Sequence, residues 1–288
     1  MAKRLDKDEL PQLAGFLSGH LPEAFKLHGA LLNVIDGKIR QEFWVDTWPD
    51  PKAVVATPVM EIEYISNVYN IFAVSQSALT NLLEEDGVMT WENPVVFAAV
   101  AEDYFPTLVE VASRHDWYFD TSNPYWGDLY YLDKKHLDIG DLPEGMRVRD
   151  LSPENACLVN DSWKFNSGGG SVSYIESCIE RYPSIGLFDA KNQPVGFELM
   201  THCGLMGSLY VMPEHRRKGY AKYITSALAQ KCFDKRRTPF VILEQCNESS
   251  ILFHEKLGFR KASCGRVAWM KMERKGCGSV ETSNKCCT

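Results

Sequence analysis

One stretch constrains this chain more than any other: residues 209–221, which read LYVMPEHRRKGYA. An apolar strand runs into a turn at Pro213, and three basic residues follow, Arg216, Arg217 and Lys218. Gly219 then opens a helical pattern that starts at once with Tyr220 and Ala221. Strand, turn and helix in this order belong to a layered α/β architecture. The first N–H groups of a helix have no internal partner. They carry partial positive charge and suit an anion. Gly219 lets the backbone approach that anion closely, and Arg216 adds donors in a fixed fork. The local physics therefore points to a cradle for a phosphate or diphosphate. HRRK alone is an ordinary solvated turn; the strand before it and the helix after it argue for more. The glycine spacing matches neither G-x-x-x-x-G-K-[ST] nor G-x-G-x-x-G.

The rest of the chain supplies two such layers. At roughly 150 residues per domain, 288 residues make two domains. In the first half, residues 6–17 and 22–34 have helical spacing, 52–57 and 70–75 read as buried strands, and 77–85 and 95–114 read as helices. Residues 117–132 contain one or two strands. The charged segment 133–145 reads as a linker. After it, 146–150 alternates as a strand does. Ser152 and Pro153 open a helix, as N-cap and first position. Residues 167–171 (SGGGS) read as a flexible loop before a short helix at 174–181. Strands follow at 185–188, 194–201 and 206–211, then a helix at 219–233, a strand at 240–244, a helix at 248–256 and a strand at 266–272. The expected division is 1–140, 146–275 and a disordered tail at 276–288, small and polar.

Composition narrows the function. The net charge of −7 lacks the basic face that phosphate-backbone binding needs, which argues against nucleic acid. Nine cysteines, an odd number, show no C-x-x-C pair, so neither a zinc site nor a disulfide framework is expected, and a reducing, intracellular compartment fits. The N-terminus carries acids where a secretory signal needs an apolar run. The longest apolar run, 95–101, is too short to span a bilayer, so a soluble protein is expected. Oligomeric state is not readable.

A second motif stands downstream of the first. Residues 247–259, NESSILFHEKLGF, resemble the N-x-x-[AS]-x-x-[LF]-Y-x-K-x-G-F stretch of the GNAT acetyltransferase superfamily, and residues 216–221 resemble its [QR]-x-x-G-x-[GA] pyrophosphate loop. The resemblance implies acyl-coenzyme A as co-substrate and no metal. Its diphosphate would lie on Arg216, Arg217, Lys218, Gly219, Tyr220 and Ala221. The strand before the loop would splay from its neighbour, and the pantetheine would pair with backbone groups of Tyr210, Val211 and Met212. Asn247 would bind the pantetheine, with Ser250 near it. His254 stands where the superfamily has a tyrosine that protonates the leaving thiolate, a task imidazole also performs.

The whole chain is similar to the glycine N-acyltransferase family. Pro22-Glu23, Gly29, Trp48-Pro49-Asp50 and Asn67 with Tyr69 and Asn70 fit its N-terminal pattern. Trp163, Gly168-Gly169, Pro213-Glu214 and Arg216-Arg217 fit its C-terminal pattern. This implies two GNAT-like domains, each a mixed twisted sheet flanked by helices, an α/β (α+β) fold. It also implies small-molecule substrates, acyl-CoA plus glycine or a similar amine, an N-acylglycine product and a mitochondrial location; the residues themselves leave a cytoplasmic one open. One departure stands out. The family's basic glutamate, nine residues before the glutamate of Pro-Glu, is Leu205 here. His202, Glu198 and Glu244 are the nearby candidates for a base. Two other readings stay open: a protein N-acetyltransferase, and a catalytically silent acyl-CoA-binding protein, which Leu205 motivates.

Overall fold

The computed structural model describes residues 2–119 and 126–274. The expected tail at 276–288, with Cys277, Cys286 and Cys287, lies outside them. The first half runs β1 (Lys3–Arg4), α1 (Leu10–Ser18), α2 (Phe25–Ile35), β2 (Phe43–Val45), β3 (Ala53–Ala56), β4 (Val68–Ala73), α3 (Gln76–Leu83), β5 (Val95–Ala101), α4 (Phe105–Arg114), β6 (Trp117–Phe119) and β7 (Trp126–Leu132). The second runs β8 (Arg147–Arg149), α5 (Ala156–Ser162), α6 (Gly169–Arg181), β9 (Ser184–Phe188), β10 (Pro194–Met200), β11 (Met206–Val211), α7 (Tyr220–Asp234), β12 (Phe240–Glu244), α8 (Glu248–Lys256) and β13 (Phe259–Arg274). The second half thus repeats the element order of the first, a correspondence that residue identity does not reveal.

The larger sheet has the order β1-β2-β3-β4-β5-β13-β7-β12, with β6 beside β13, and the smaller one β11-β10-β9-β8. The element order restarts at β8, yet the larger sheet crosses that point. β7 of the first half pairs with β12 and β13 of the second, and β13 also pairs with β5. The 16-residue β13 does both through its two edges, with a register shift against β7 between Lys261 and Arg266. Close packing joins the halves further. A Cβ on Gly29 of α2 would sit 2.1 Å from the Cys203 carbonyl oxygen, so only glycine fits there. Arg237 donates to Asn33 Oδ1 and to Asp36 Oδ2, each at 2.6 Å.

Two expectations are corrected. Residues 95–101, VVFAAVA, form a central strand, and the helix begins only at Phe105 with Pro106 in its first turn. A continuous apolar run has no period of its own, and this one is buried between β4 and β13, where both faces of a strand are covered. The glycine run at 168–170 is largely helical. Gly168 takes φ 77°, and the Ser171 hydroxyl, which donates to Asn160 Oδ1 at 2.7 Å, anchors the first turn of α6.

Candidate functional site

Among the described residues the strand of β11 pairs with β12 at one place, an isolated parallel bridge between Leu205, just before β11, and Phe240. Beyond it β11 becomes the edge of the smaller sheet and β12 the edge of the larger, so the two strands diverge and open a gap. The Met212 N–H donates to the Val195 carbonyl at 2.9 Å, inside the sheet. This corrects the expectation for Met212: its amide already has a partner. Because successive residues of a strand alternate sides, Val211 faces the open side, where its carbonyl accepts from Arg216 Nε at 3.0 Å. The Tyr210 ring stacks on Phe197 at 5.9 Å and has the Arg216 guanidinium 5.4 Å above it, so the strand that borders the gap is held on both flanks.

A short turn, Pro213–His215, leads to the cradle. Arg217 takes φ 63° and Gly219 φ 83°, both left-handed. Left-handed residues at a helix start turn successive N–H groups toward one point and make a concave anion site. The first internal bond of α7 is Tyr223 N–H to the Gly219 carbonyl, at 3.3 Å, so the amides of Tyr220, Ala221 and Lys222 precede the helix ladder. No side chain caps them. By contrast, Ser75 caps α3 with its own hydroxyl. Arg216, Arg217 and Lys218 are exposed, and none makes an ion pair among the described residues. The Lys218 ammonium rests on the Glu214 carbonyl at 3.2 Å. A 15-residue helix without an N-cap side chain, beside three cations that make no ion pair among the described residues, fits a diphosphate.

On the other side of the gap, Asn247 caps α8. Its Oδ1 accepts from the Ser250 N–H at 3.1 Å and the Ser249 hydroxyl at 3.0 Å. One turn on, His254 is only 4% exposed. Its Nδ1 lies 2.8 Å from the Ser250 carbonyl, and its ring packs edge-on against Phe253 and Phe259. Burial holds the imidazole below its usual pKa. With Nδ1–H donating to that carbonyl, the neutral ring offers Nε2 as an acceptor.

The remaining candidates lie apart. Glu198, on β10 one strand in from the edge, is 1% exposed. Burial pushes its pKa up to about 8, opposed by the nearby Thr225 hydroxyl on α7. Neither Glu198 Oε2 nor Thr225 Oγ1 completes a hydrogen bond of normal geometry. His202 is 6% exposed and bonds Tyr174 of α6 through Nδ1 at 2.9 Å. Burial, with the charge of Lys26, lowers its pKa to about 3. Glu198 and His202 thus meet different helices and do not form one site. Glu244 ends β12 in an ion pair with Lys164 at 2.5 Å. Leu205 sits where the strands part, in a cluster with Phe25, Leu129, Cys203, Phe240 and Ala262, and its own side chain offers no proton acceptor. Sequence reasoning missed the cap-free start of α7 and the left-handed Arg217. The doubled basic run before Gly219 is the trace they leave in the sequence.

Among the described residues no group of three or more His, Cys, Asp or Glu side chains is placed to hold a metal, and no helix is long and apolar enough to cross a membrane. Residues 4–183 match the family model described as aralkyl acyl-CoA:amino acid N-acyltransferase, and residues 184–269 match that described as FR47-like protein. The chain is 26% identical to human glycine N-acyltransferase-like protein 2 over 283 residues, 91% of this chain and 95% of that protein. It is 24% identical to bovine glycine N-acyltransferase, covering 80% and 85%. Among solved structures, a Drosophila protein superposes with a TM-score of 0.77 at 17% identity, covering 94% and 98%. A tandem GNAT protein from the clavulanic acid biosynthesis pathway superposes at 0.51 with 13% identity, covering 97% and 100%.

Proposed function

The chain belongs to the aralkyl acyl-CoA:amino acid N-acyltransferase family, and from that premise we propose that it transfers an acyl group from acyl-CoA to the amine of glycine or a similar small amino acid, giving an N-acylglycine and free coenzyme A. The observation that carries this reading is the uncapped start of α7 at Gly219, directly beyond the gap between β11 and β12. In this reading the diphosphate rests on the amides of Tyr220 and Ala221, flanked by Arg216, Arg217 and Lys218. The pantetheine runs along β11 toward Asn247 and Ser250.

The chemistry is direct transfer. The acceptor amine attacks the thioester carbonyl, a C–N bond forms and the C–S bond breaks. The Val211 N–H faces the developing oxyanion. Placing both reactants in one gap supplies much of the rate. With Leu205 at the apex and Glu198 sealed under α7, the ammonium proton leaves through water. His254 delivers a proton to the departing thiolate only if the negative sulfur raises its depressed pKa. A mitochondrial location follows the family and is checked by fractionation.

The test is a matrix of acyl-CoAs against amino acids, read as free thiol released. Leu205 favours one competing reading, an acyl-CoA-binding protein without turnover. Stoichiometric binding with no thiol release from any pair selects that reading over ours.

A further inference from the structure

The first half repeats the strand–helix–strand unit of the proposed donor site, and a cavity lies where its two strands part. β4 and β5 pair in parallel only at Val68 with Val96 and Tyr69 with Phe97. Beyond these pairs the strands separate, as β11 and β12 do beyond Leu205 and Phe240. The features that suit a diphosphate are replaced here. Ser75 Oγ accepts the Ala78 N–H at 3.3 Å and caps α3. Val74 and Ser75 stand where the other half has a basic run. The Tyr104 hydroxyl accepts from the Ala73 N–H at 3.0 Å and donates to the Ala73 carbonyl at 2.8 Å, which closes the end of β4. Between α2, β4, β5 and residues 263–267 of β13 there is a cavity of 450 Å³, a size for a small molecule.

Two buried polar side chains line it without partners. Asn70 is 1% exposed, and neither its Oδ1 nor its Nδ2 has a hydrogen-bond partner. Lys26 is 6% exposed and makes no hydrogen bond or ion pair among the described residues; its ammonium stands 5.4 Å over the Trp269 ring. Asn70 and Lys26 both line this one cavity, Asn70 from β4 and Lys26 from α2. Buried polar groups are almost always bonded, and an unpaired buried charge is expensive. Burial lowers the Lys26 pKa to about 8, so the ammonium is still the main form near neutral pH. At β5 the backbone is irregular too. Ala99 takes φ 45° where β13 slips register between Ala268 and Met270, a strained turn of the kind found at ligand sites.

The mouth of the cavity is acidic. Glu23 and Asp103 are exposed there, Glu23 Oε1 accepting from the Ser263 hydroxyl at 3.2 Å, while Glu102 is bound to Arg266. We propose that this cavity binds a free α-amino acid. An α-amino acid carries an acceptor group and a donor group on one carbon, matching the amide N–H groups and the carbonyl oxygen that Asn70 holds unused. Its carboxylate meets Lys26 Nζ and Asn70 Nδ2, its ammonium meets Asn70 Oδ1 and looks toward the acids at the mouth, and its side chain lies on Ala98. The site is separate from the gap between β11 and β12 and does not rest on the acyltransferase reading.

The test uses the full chain and a panel of free amino acids in ligand-observed NMR, followed by calorimetry. Alanine is compared with propionate and ethylamine, which each keep one of its two charges. The expected result, with no acyl-CoA present, is binding of at least one amino acid that depends on Lys26 and Asn70. Affinity should fall about tenfold to hundredfold in Lys26→Met and in Asn70→Leu. Gly219→Glu should bind as wild type does, whatever becomes of acyl-CoA binding. Four results overturn the proposal: no amino acid bound at about 10 mM, beyond the weak millimolar range; unchanged affinity in both folded cavity variants; propionate or ethylamine bound as tightly as alanine; or binding lost in Gly219→Glu. Should the cavity variants not fold, reductive methylation of Lys26 in the wild type gives the answer. Saturating amino acid should slow it at Lys26 more than at the exposed lysines of the same chain, which correct for formaldehyde taken up by the amino acid's own amine, and an unchanged ratio overturns the proposal.

Discussion

Gly219→Glu is expected to abolish coenzyme A binding and leave the fold in place. Gly219 has φ 83° and ψ −2°. A Cβ there meets no atom within 4 Å, so the penalty to the fold comes from the backbone alone. For a side-chain-bearing residue in this region that penalty is about 1–2 kcal/mol. A carboxylate at a helix N-terminus returns about 0.3–1 kcal/mol. The melting temperature should therefore drop by only a few degrees. Ligand binding suffers far more. A carboxylate about 5 Å from a diphosphate with about two charges repels it by about 2–7 kcal/mol, for an effective dielectric between about 80 and 20. That is a loss of about thirtyfold at the least. Gly219→Ala has the same backbone strain without the charge and serves as the control. Calorimetry of coenzyme A binding at two ionic strengths reads the difference. The gap between the two variants should narrow with salt, because exposed charges are screened. Equal affinity of the Glu and Ala variants at low salt refutes the cradle at Gly219.

Other expectations are independent of this one. Glu198 has a folded pKa of about 8 against an ordinary value of 4.5, so the folded state keeps a proton that the unfolded chain has lost between these values. Its contribution to stability is full below pH 4.5 and is lost as pH rises to about 8, on the order of 4 kcal/mol in all. Glu198→Gln should therefore melt above the wild type at pH 8, with the difference shrinking toward pH 5; a constant difference would show that Glu198 is not the titrating group. His202, depressed to about 3, acts in the opposite sense, stability rising with pH from about 3 to 6.5, and is common to both proteins. His254→Phe should reduce turnover about a hundredfold while changing coenzyme A affinity little; equal turnover in the two proteins removes His254 from the proton transfer. Arg237→Ala should destabilise the protein by about 1–2 kcal/mol in urea unfolding. Asn33 loses a buried partner in that variant, but Asp36, with 49% of its side chain exposed, regains water.

The candidate donor site was largely readable before any coordinates. The turn and cap geometry of residues 209–221 and 247–259 is set within one turn, and proline, glycine and a capping asparagine declare such geometry locally. For the same reason β12 and α8 were placed with the boundaries they have. Elements without local punctuation were read less well. The apolar run of β5 was taken for helix, because only its two neighbouring strands make it a strand. The acids and bases fared worst. Glu198, His202 and Lys26 carry no local mark of burial in the sequence, yet all three are buried, and burial is what moves their pKa values.

The chain's own order of residues was enough for the two α/β halves, for the turn into α7 and for the family, since each depends on contacts a few residues apart or on motif spacing. Packing between distant segments settled the rest: that β13 enters the sheet of the first half between β5 and β7, that β11 and β12 separate after a single bridge, and that Lys26 and Asn70 line one cavity. Which strands become neighbours, and which polar groups lose their water, is decided only when segments more than a hundred residues apart compete to bury the same apolar surface.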